Sequence, residues 1–492
     1  MTIRLQVLGS ALRAVAEEMG AVLVRSAFSA NIKERRDCST ALFAPDGRMI
    51  AQAEHIPVHL GAMPEAVAAV AELDPRPGET FVVNDPFTGG THLPDVTLVS
   101  RTETGFAVSR AHYADVGGSE PASLPADSSS IYQEGLVLPP VRLTDEVVTI
   151  ILANMRNPDE RRGDLRAQRA AHRLAERRLV ELCQRHGREE VLEAMDALFS
   201  YSERRVRAAI AALPDGRYEA DDVLETSDGE LVVRAAVTVA GELIEIDFTG
   251  TDPQHSGNLN CPLAVTRSAS YFVVRCLTDP DVPASGGAFA PVSVQAPPGS
   301  LVNARPPAAV VAGNVETSNR IADVLFRAFG QAIAVPAQGQ GTMNNLTLGN
   351  ARFTYYETIG GGQGACPDAD GPSGVHVTMS NTLNTPIEAL ELSYPLRVER
   401  YGLRVGSGGH GRHRGGDGVV REVTALEPCR LSIVSERRSR APAGVAGGEP
   451  GAPGRNLVNG APVPAKVTRS LAAGESVTIE TPGGGGFGHP SG

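Results

Sequence analysis

The chain contains no tryptophan, and aromatic residues fill only 4% of its 492 positions. Proteins that hold single-stranded nucleic acid need aromatic platforms for base stacking, and this composition offers little to build them from. A basic excess is missing too: 45 Lys and Arg stand against 57 Asp and Glu, a formal net charge of −12. With no basic stripe to neutralise phosphates, a nucleic-acid partner is not expected. Arginines do gather between Arg156 and Arg207, but acidic residues interleave with them, as on a solvated helix face.

The six cysteines (Cys38, Cys183, Cys261, Cys276, Cys366 and Cys429) show no CxxC spacing. Scattered thiols suit a reducing cytoplasm better than a disulfide framework or a zinc ribbon. No apolar run approaches the roughly 20 residues that span a bilayer. The start, Met1 to Leu8, lacks the basic segment and apolar core of a signal peptide. A soluble, cytoplasmic protein is expected. Nucleotide signatures are also missing. Neither Gly360-Gly-Gly-Gln-Gly364 nor Gly406-Ser-Gly-Gly409 is followed by Gly-Lys-Ser/Thr, and no glycine fingerprint opens a βαβ unit. These runs read as turns, with backbone N–H nests for anions as the alternative.

What is present is ordinary for a globular protein, 42% apolar and 21% charged. The length exceeds one ordinary core and predicts two or three domains. Leu5, Leu8, Leu12, Val15, Met19 and Val22 recur at helical spacing, and a hairpin is expected from Thr40–Phe43 and Met49–Ala51 around Pro45-Asp-Gly47. From Pro158 to Leu213 the apolar positions suit two or three helices, with Gly187 as a stop. Beyond Arg217 strands dominate. A hairpin is expected over Leu231–Phe248, with helices at Ser318–Ala334 and Pro386–Ser393. The tail from Thr481 to Gly488 cannot form a regular element by itself. The expected fold class is multidomain α+β with a helical middle and a β-rich C-terminal half, divided as 1–157, 158–215 and 216–492.

The richest chemistry lies in Asn84-Asp-Pro-Phe-Thr-Gly-Gly-Thr-His-Leu-Pro-Asp-Val96. A buried strand at Thr80–Val83 ends at Asn-Asp-Pro, and two glycines then allow a tight excursion that presents His92 and Asp95. The pattern recurs as His112-Tyr-Ala-Asp115 after another strand-like run. Two His-x-x-Asp units beside glycine-rich turns point to a nitrogen/oxygen metal site; the competing reading is that each His and Asp caps a loop.

Several further runs join these: Asn31-Ile-Lys-Glu-Arg-Arg-Asp-Cys-Ser39, Val58-His-Leu-Gly-Ala-Met63, Tyr132-Gln-Glu-Gly135, Asn154-Met-Arg-Asn-Pro158, Tyr356-Glu-Thr-Ile-Gly-Gly-Gly-Gln-Gly364 and Asn381-Thr-Leu-Asn-Thr-Pro-Ile-Glu388. With them the chain resembles, along nearly its whole length, the B subunit of the hydantoinase/oxoprolinase family. The resemblance implies a metal site at Asp37, His92, Asp95 and His112, suited to Zn or Mn by its mixed ligands. Asp115 is expected to orient a ligating imidazole, or else to shape a turn. His59 and Glu134 are candidates for a general base or substrate contact, against a core histidine and a surface-turn glutamate. Lys33 to Arg36 reads as a solvated turn, from which one Arg could steer an anionic intermediate.

The resemblance further implies an ATP-dependent hydrolase of cyclic amides, working as a hetero-oligomer. A hydantoinase A-type partner would bind ATP and phosphorylate the amide oxygen, and metal-bound hydroxide on this chain would attack the activated carbon. The alternatives are a subunit of an ATP-dependent ketone carboxylase of the acetone carboxylase type, and a noncatalytic scaffold for the A subunit.

Overall fold

The computed structural model describes residues 3–490 apart from His55; Met1, Thr2, Ser491 and Gly492 lie outside the described residues, as do the side chains of Leu5 and Glu54. The expected N-terminal stripe belongs to α1 (Ile3–Ser26), which buries Leu8, Leu12, Val15 and Met19. Leu23 completes the buried face; Val22 is only half-buried. After a short α2 (Ala30–Lys33), the expected hairpin forms as β1 (Cys38–Phe43) and β2 (Met49–Glu54). A single helical turn at Pro57–His59 leads to α3 (Met63–Ala71). Then come β3 (Thr80–Val83), β4 (Asp95–Thr102), β5 (Gly105–His112) and β6 (Val141–Arg142). These strands make one antiparallel sheet in the order β2-β1-β5-β4-β3-β6.

After α4 (Asp145–Ala153), the middle of the chain is helical as expected, with α5 (Pro158–His186) and α6 (Arg188–Ile210). Gly187 sits between them at φ 88°, a conformation that stops a helix and favours glycine. One face of α5 packs on the first sheet. There Gln168 Nε2 donates to Val96 O at 3.1 Å, and His172 lies between the hydroxyls of Ser100 and Ser109.

A second sheet follows from β7 (Gly216–Glu225), β8 (Glu230–Ala240), β9 (Leu243–Asp247) and β10 (Val292–Gln295) in the order β10-β9-β8-β7. The expected hairpin is β8–β9. It packs on α7 (Leu263–Leu277) and α8 (Ser318–Phe329). The composition of α7, rich in Ser, Thr and Val, hides a helix from propensity reasoning. Its serine and threonine hydroxyls are all engaged: Ser268 Oγ donates to Ala264 O, Ser270 Oγ to Thr266 O, and Thr266 Oγ1 to Val302 O outside the helix. The expected helix at 318–334 stops at Phe329 and is preceded by a π-helical turn, Gly313–Thr317.

The C-terminal part adds α9 (Ile387–Ser393) and the strands β11 (Asn345–Gly349), β12 (Thr354–Glu357), β13 (Leu396–Arg404), β14 (Gly418–Ala425), β15 (Cys429–Val434), β16 (Arg455–Val458), β17 (Ala461–Val463), β18 (Lys466–Leu471) and β19 (Ser476–Glu480). They form two sheets, β12-β11-β15-β18 and β13-β14-β19-β16-β17. The fold is α+β. A buried ion network ties α8 to β7 and to the segment after β15: Arg320 and Arg437 both reach Asp222 and Asp323 at 2.7–3.2 Å.

Gly406 forms an exposed turn at φ 87°, as expected, while the glycines at 360–364, 408–409 and 483–486 are not surface turns. They lie buried side by side, with backbone bonded to backbone: Gly484 N donates to Gly416 O, Gly485 N to Gln338 O, and Gly409 N to Gly484 O, each at 2.8–2.9 Å. A Cβ on Gly484 would stand 2.0 Å from Gln363 O, so only glycine permits the approach. The tail from Thr481 to Gly488 is thus irregular, as expected, but fully incorporated. Among the described residues no helix is long and apolar enough to cross a membrane.

Candidate metal centre

Strand register brings the centre together. β4 and β5 pair without a shift from Thr102↔Gly105 to Asp95↔His112, so the first residue of one strand faces the last residue of the other. On the other side of β5, β1 pairs Cys38 with Ala111, and His112 N donates to Asp37 O at 3.0 Å. Asp37, His112 and Asp95 therefore stand at the same end of three neighbouring strands. His92 arrives from the turn before β4, where Asp95 N donates to His92 O. That turn needs its glycines: Gly89 has φ 97°, and a Cβ on Gly90 would lie 2.3 Å from Asn84 O.

Three donor atoms converge. His92 Nε2, His112 Nδ1 and Asp95 Oδ1 are mutually 3.2–3.3 Å apart, and all three side chains are buried. Donors about 2.0–2.1 Å from a tetrahedral cation stand roughly 3.3–3.4 Å from one another, so the spacing fits a divalent ion. The donor chemistry, imidazole with carboxylate, fits as well. His92 Nδ1, on the other side of its ring, is buried with no hydrogen-bond partner among the described residues.

Electrostatics favours the ligand form of Asp95 and of His112. Burial alone would raise the Asp95 carboxyl. The His92 charge and the hydrogen bonds from His112, His59 and His92 outweigh it and hold Asp95 well below the usual carboxylate range. Burial lowers His112 more than the carboxylates of Asp37 and Asp95 raise it, which favours a neutral imidazole. The Thr91 hydroxyl donates to Asp95 Oδ2, and His59 Nε2 approaches that oxygen to 3.5 Å. His59 Nδ1 is 3.0 Å from Ser39 Oγ, and its turn is docked on α7 through Gly61 N and Ser268 Oγ.

Asp37 and His59 line the cavity with His92, Asp95 and His112; Asp115 and Glu134 do not. Asp115 accepts from Gly117 N and Ala122 N and pairs with Arg156 at 2.9 Å. It is the turn-forming carboxylate of the two readings, because the chain leaves the strand at His112 and turns away from the imidazoles. Glu134 is not a surface residue. It is fully buried, accepting from Ser128 Oγ, Val310 N and Val311 N at 2.9–3.1 Å, and burial pushes its pKa up to about 7.

The solvated-turn reading of Lys33–Arg36 fails at Arg35, which is fully buried. Its guanidinium donates to Tyr356 O and Thr358 Oγ1 at 2.9 and 2.7 Å and lies 4.9 Å from the Tyr356 ring centre. Tyr356 in turn stacks on His112 at 4.8 Å and donates its hydroxyl to Asn345 Oδ1. Sequence reasoning missed Tyr356, Thr358 and Thr382 as cavity residues, although each lies in a run that carried the family resemblance. Asn314 and Met343 had no such signal. The enclosed space leaves about 20 Å³ for a water-sized occupant, room for one ion or water.

With this geometry, comparison with known proteins is specific. The family profile described as Hydantoinase B/oxoprolinase matches residues 1–490. An uncharacterised protein of Methanocaldococcus jannaschii is 39% identical, covering 99% of this chain and 91% of its own length. The 5-oxoprolinase 1 of Arabidopsis thaliana is 38% identical over 99% of this chain, which spans only 42% of that plant protein. The crystal structure of the ATP-dependent caprolactamase from Pseudomonas jessenii superposes with a TM-score of 0.93 at 30% identity, covering 99% of this chain and 91% of the other.

Proposed function

The chain belongs to the hydantoinase B/oxoprolinase family, and from that premise we propose that it is the metal-dependent B-type subunit of an ATP-dependent cyclic-amide hydrolase. The observation that carries this reading is the convergence of His92 Nε2, Asp95 Oδ1 and His112 Nδ1 at cation-ligand spacing. Asp37, beside His112 in the same cavity, is the proposed fourth ligand. These residues would hold a divalent Zn or Mn ion, which would supply Lewis acidity able to polarise a carbonyl and to lower the pKa of water towards about 7.

The protein's own residues set the conditions. Asp95 stays ionised, His112 stays neutral, and Thr91 fixes the second carboxylate oxygen. His59, on the far side of Asp95, is the proposed proton acceptor or substrate contact. Glu134 is a positioning residue, tying the Ser128 loop to the backbone at Val310 and Val311. An unstrained amide resists attack, so activation must come from elsewhere, and this chain carries no recognisable nucleotide loop. An A-type partner that binds ATP and phosphorylates the amide oxygen fills that role. The plant 5-oxoprolinase is consistent with such a division, since the part of it related to this chain is 42% of its length.

The test has two parts. Purified protein should carry near-stoichiometric Zn or Mn by elemental analysis, and the double variant His92→Ala/His112→Ala should lose it while circular dichroism is unchanged. Full metal retention in that variant refutes the site. With an A-type partner, ATP and a cyclic amide in ¹⁸O-labelled water, solvent oxygen should enter the new carboxylate without bicarbonate. Bicarbonate-dependent consumption of a ketone without ring opening would instead establish the carboxylase.

A further inference from the structure

One wall of the metal cavity holds hydroxyls to which the proposed reaction gives no role. Ser380 and Thr382 reach the lining from the segment after His376, and Thr358 joins them from the end of β12. The segment is pinned from behind. Thr378 stands at φ 53°, a conformation β-branched residues rarely adopt, and its hydroxyl donates to Asn319 Oδ1 on α8, which also accepts from Met379 N. Further on, Leu383 N donates to Arg35 O at 3.1 Å.

Five side chains form a single line of hydrogen bonds along this wall. Arg35 Nη2 lies 2.7 Å from Thr358 Oγ1, and Thr358 Oγ1 lies 2.6 Å from Thr382 Oγ1. Thr382 Oγ1 is 3.3 Å from His376 Nε2, and His376 Nδ1 is 2.6 Å from Ser380 Oγ. The line begins at a group that can only donate, which gives it a direction. Thr358 accepts from the guanidinium, and the positive charge turns the hydroxyl protons beyond it away from itself. Thr358 then donates to Thr382, and Thr382 donates to His376 Nε2.

A neutral imidazole has one lone pair and one N–H. With Nε2 accepting, Nδ1 carries the proton and donates to Ser380 Oγ. Burial, reinforced by the Arg35 charge and opposed by Asn384, pushes the His376 pKa down to about 4, so the ring is neutral. The proton of Ser380 is the one that the line does not use. Ser380 is buried, its hydroxyl has no further partner among the described residues, and it stands in the cavity wall.

We propose that Ser380 is a preorganised hydrogen-bond donor for an oxygen anion in the metal cavity, held in that role by the line from Arg35 through Thr358, Thr382 and His376. The ligand class is a small hard anion, hydroxide above all, in keeping with a space that admits one water-sized occupant. A donor fixed in advance and shielded from bulk water stabilises such a charge without having to reorganise. Ser380 is then a catalytic residue, and His376 is a positioning residue that acts through it. The assignment rests on the metal-dependent reading above and adds to it the group that steadies the anion.

Two measurements test it. The first needs neither metal nor substrate. Long-range ¹⁵N–¹H correlation of the full chain near neutral pH should show His376, identified by the signal missing from His376→Gln, as the Nδ1–H tautomer. The Nε2–H tautomer, whose ring accepts from Ser380 and uses up its proton, would overturn the proposal. The second uses fluoride, which has the charge of hydroxide and can only accept hydrogen bonds. Titrated into the cobalt(II)-loaded full chain and followed by visible absorption, fluoride should bind Ser380→Ala about tenfold or more weakly than the unaltered protein, the effect of losing one hydrogen bond to a charged group. Ser380→Thr, which keeps the hydroxyl, should restore the affinity, and cobalt content should be the same in all three proteins.

Equal fluoride affinity in Ser380→Ala would overturn the proposal, as would a loss that Ser380→Thr does not restore. Failure of the hydrolase reading would look different. The Nδ1–H tautomer and a Ser380-dependent fluoride affinity, in a complex that opens no cyclic amide, would support the donor and bring down the hydrolase reading alone.

Discussion

Acidification should weaken the fold at one identifiable residue, His172. Its imidazole lies on α5 beneath the sheet that carries the centre, with Nδ1 2.6 Å from Ser100 Oγ on β4 and Nε2 2.8 Å from Ser109 Oγ on β5. Burial pushes its pKa down to about 3, from an ordinary value of 6.5. Above 6.5 the folded and unfolded chains are both neutral here and the group adds no pH dependence. Below it the unfolded chain takes up a proton that the folded form refuses, so stability falls with pH until the folded pKa is reached. Between about pH 8 and about pH 5 this removes about 2 kcal/mol. His172→Gln keeps a polar side chain without a titrating ring. Urea unfolding at the two pH values should therefore show a drop about 2 kcal/mol smaller in the variant than in the unaltered protein. The other titrating groups cancel in this comparison. An equal drop in both would refute the argument.

The glycine bundle predicts a steep contrast between two Gly→Ala changes. Gly484→Ala, whose Cβ meets backbone at 2.0–2.6 Å, should cost about 3 kcal/mol or more. Gly402→Ala on β13, with nothing within 4 Å, should leave the melting temperature unchanged or slightly raised; equal effects would contradict the packing. Arg35→Lys keeps the charge but loses the fork that reaches Tyr356 O and Thr358 Oγ1. A loss of roughly 1.5–3 kcal/mol is expected in thermal unfolding, together with weaker metal retention as Tyr356 loosens on His112; an unchanged melting temperature would sink this reading.

The elements legible in the sequence were those whose local pattern agrees with their surroundings. The stripe of α1, the β1–β2 and β8–β9 hairpins and the helices on either side of Gly187 all announce themselves by periodicity or turn chemistry. What stayed hidden depended on distant partners. The Ser- and Thr-rich α7 is helical because its apolar face packs on α8, and its buried hydroxyls find carbonyl partners, Ser268 and Ser270 within the helix and Thr266 at Val302 O. Arg35 reads as a surface charge until β12 delivers Tyr356 O and Thr358 from more than three hundred residues away. The glycine runs look like turns because nothing local reveals that Gly409, Gly416 and Gly484 will bond backbone to backbone.

The apparent duplication of His-x-x-Asp shows why spacing alone misassigns part of the centre. In the first unit, His92 sits in a turn that folds back on the start of β4, so its nitrogen and the Asp95 carboxylate converge. In the second, His112 ends β5 and the next residues continue outward, which carries Asp115 to Arg156. Equal spacing thus gives one pair that meets and one that separates. What joins the two units is the antiparallel register, which sets Asp95 opposite His112. A shift of that register by one residue would turn one of the two side chains to the other face of the sheet. The centre is therefore a property of the β4–β5 pairing more than of either motif. The buried bonds from Gln168 and His172 to these two strands hold that pairing in place.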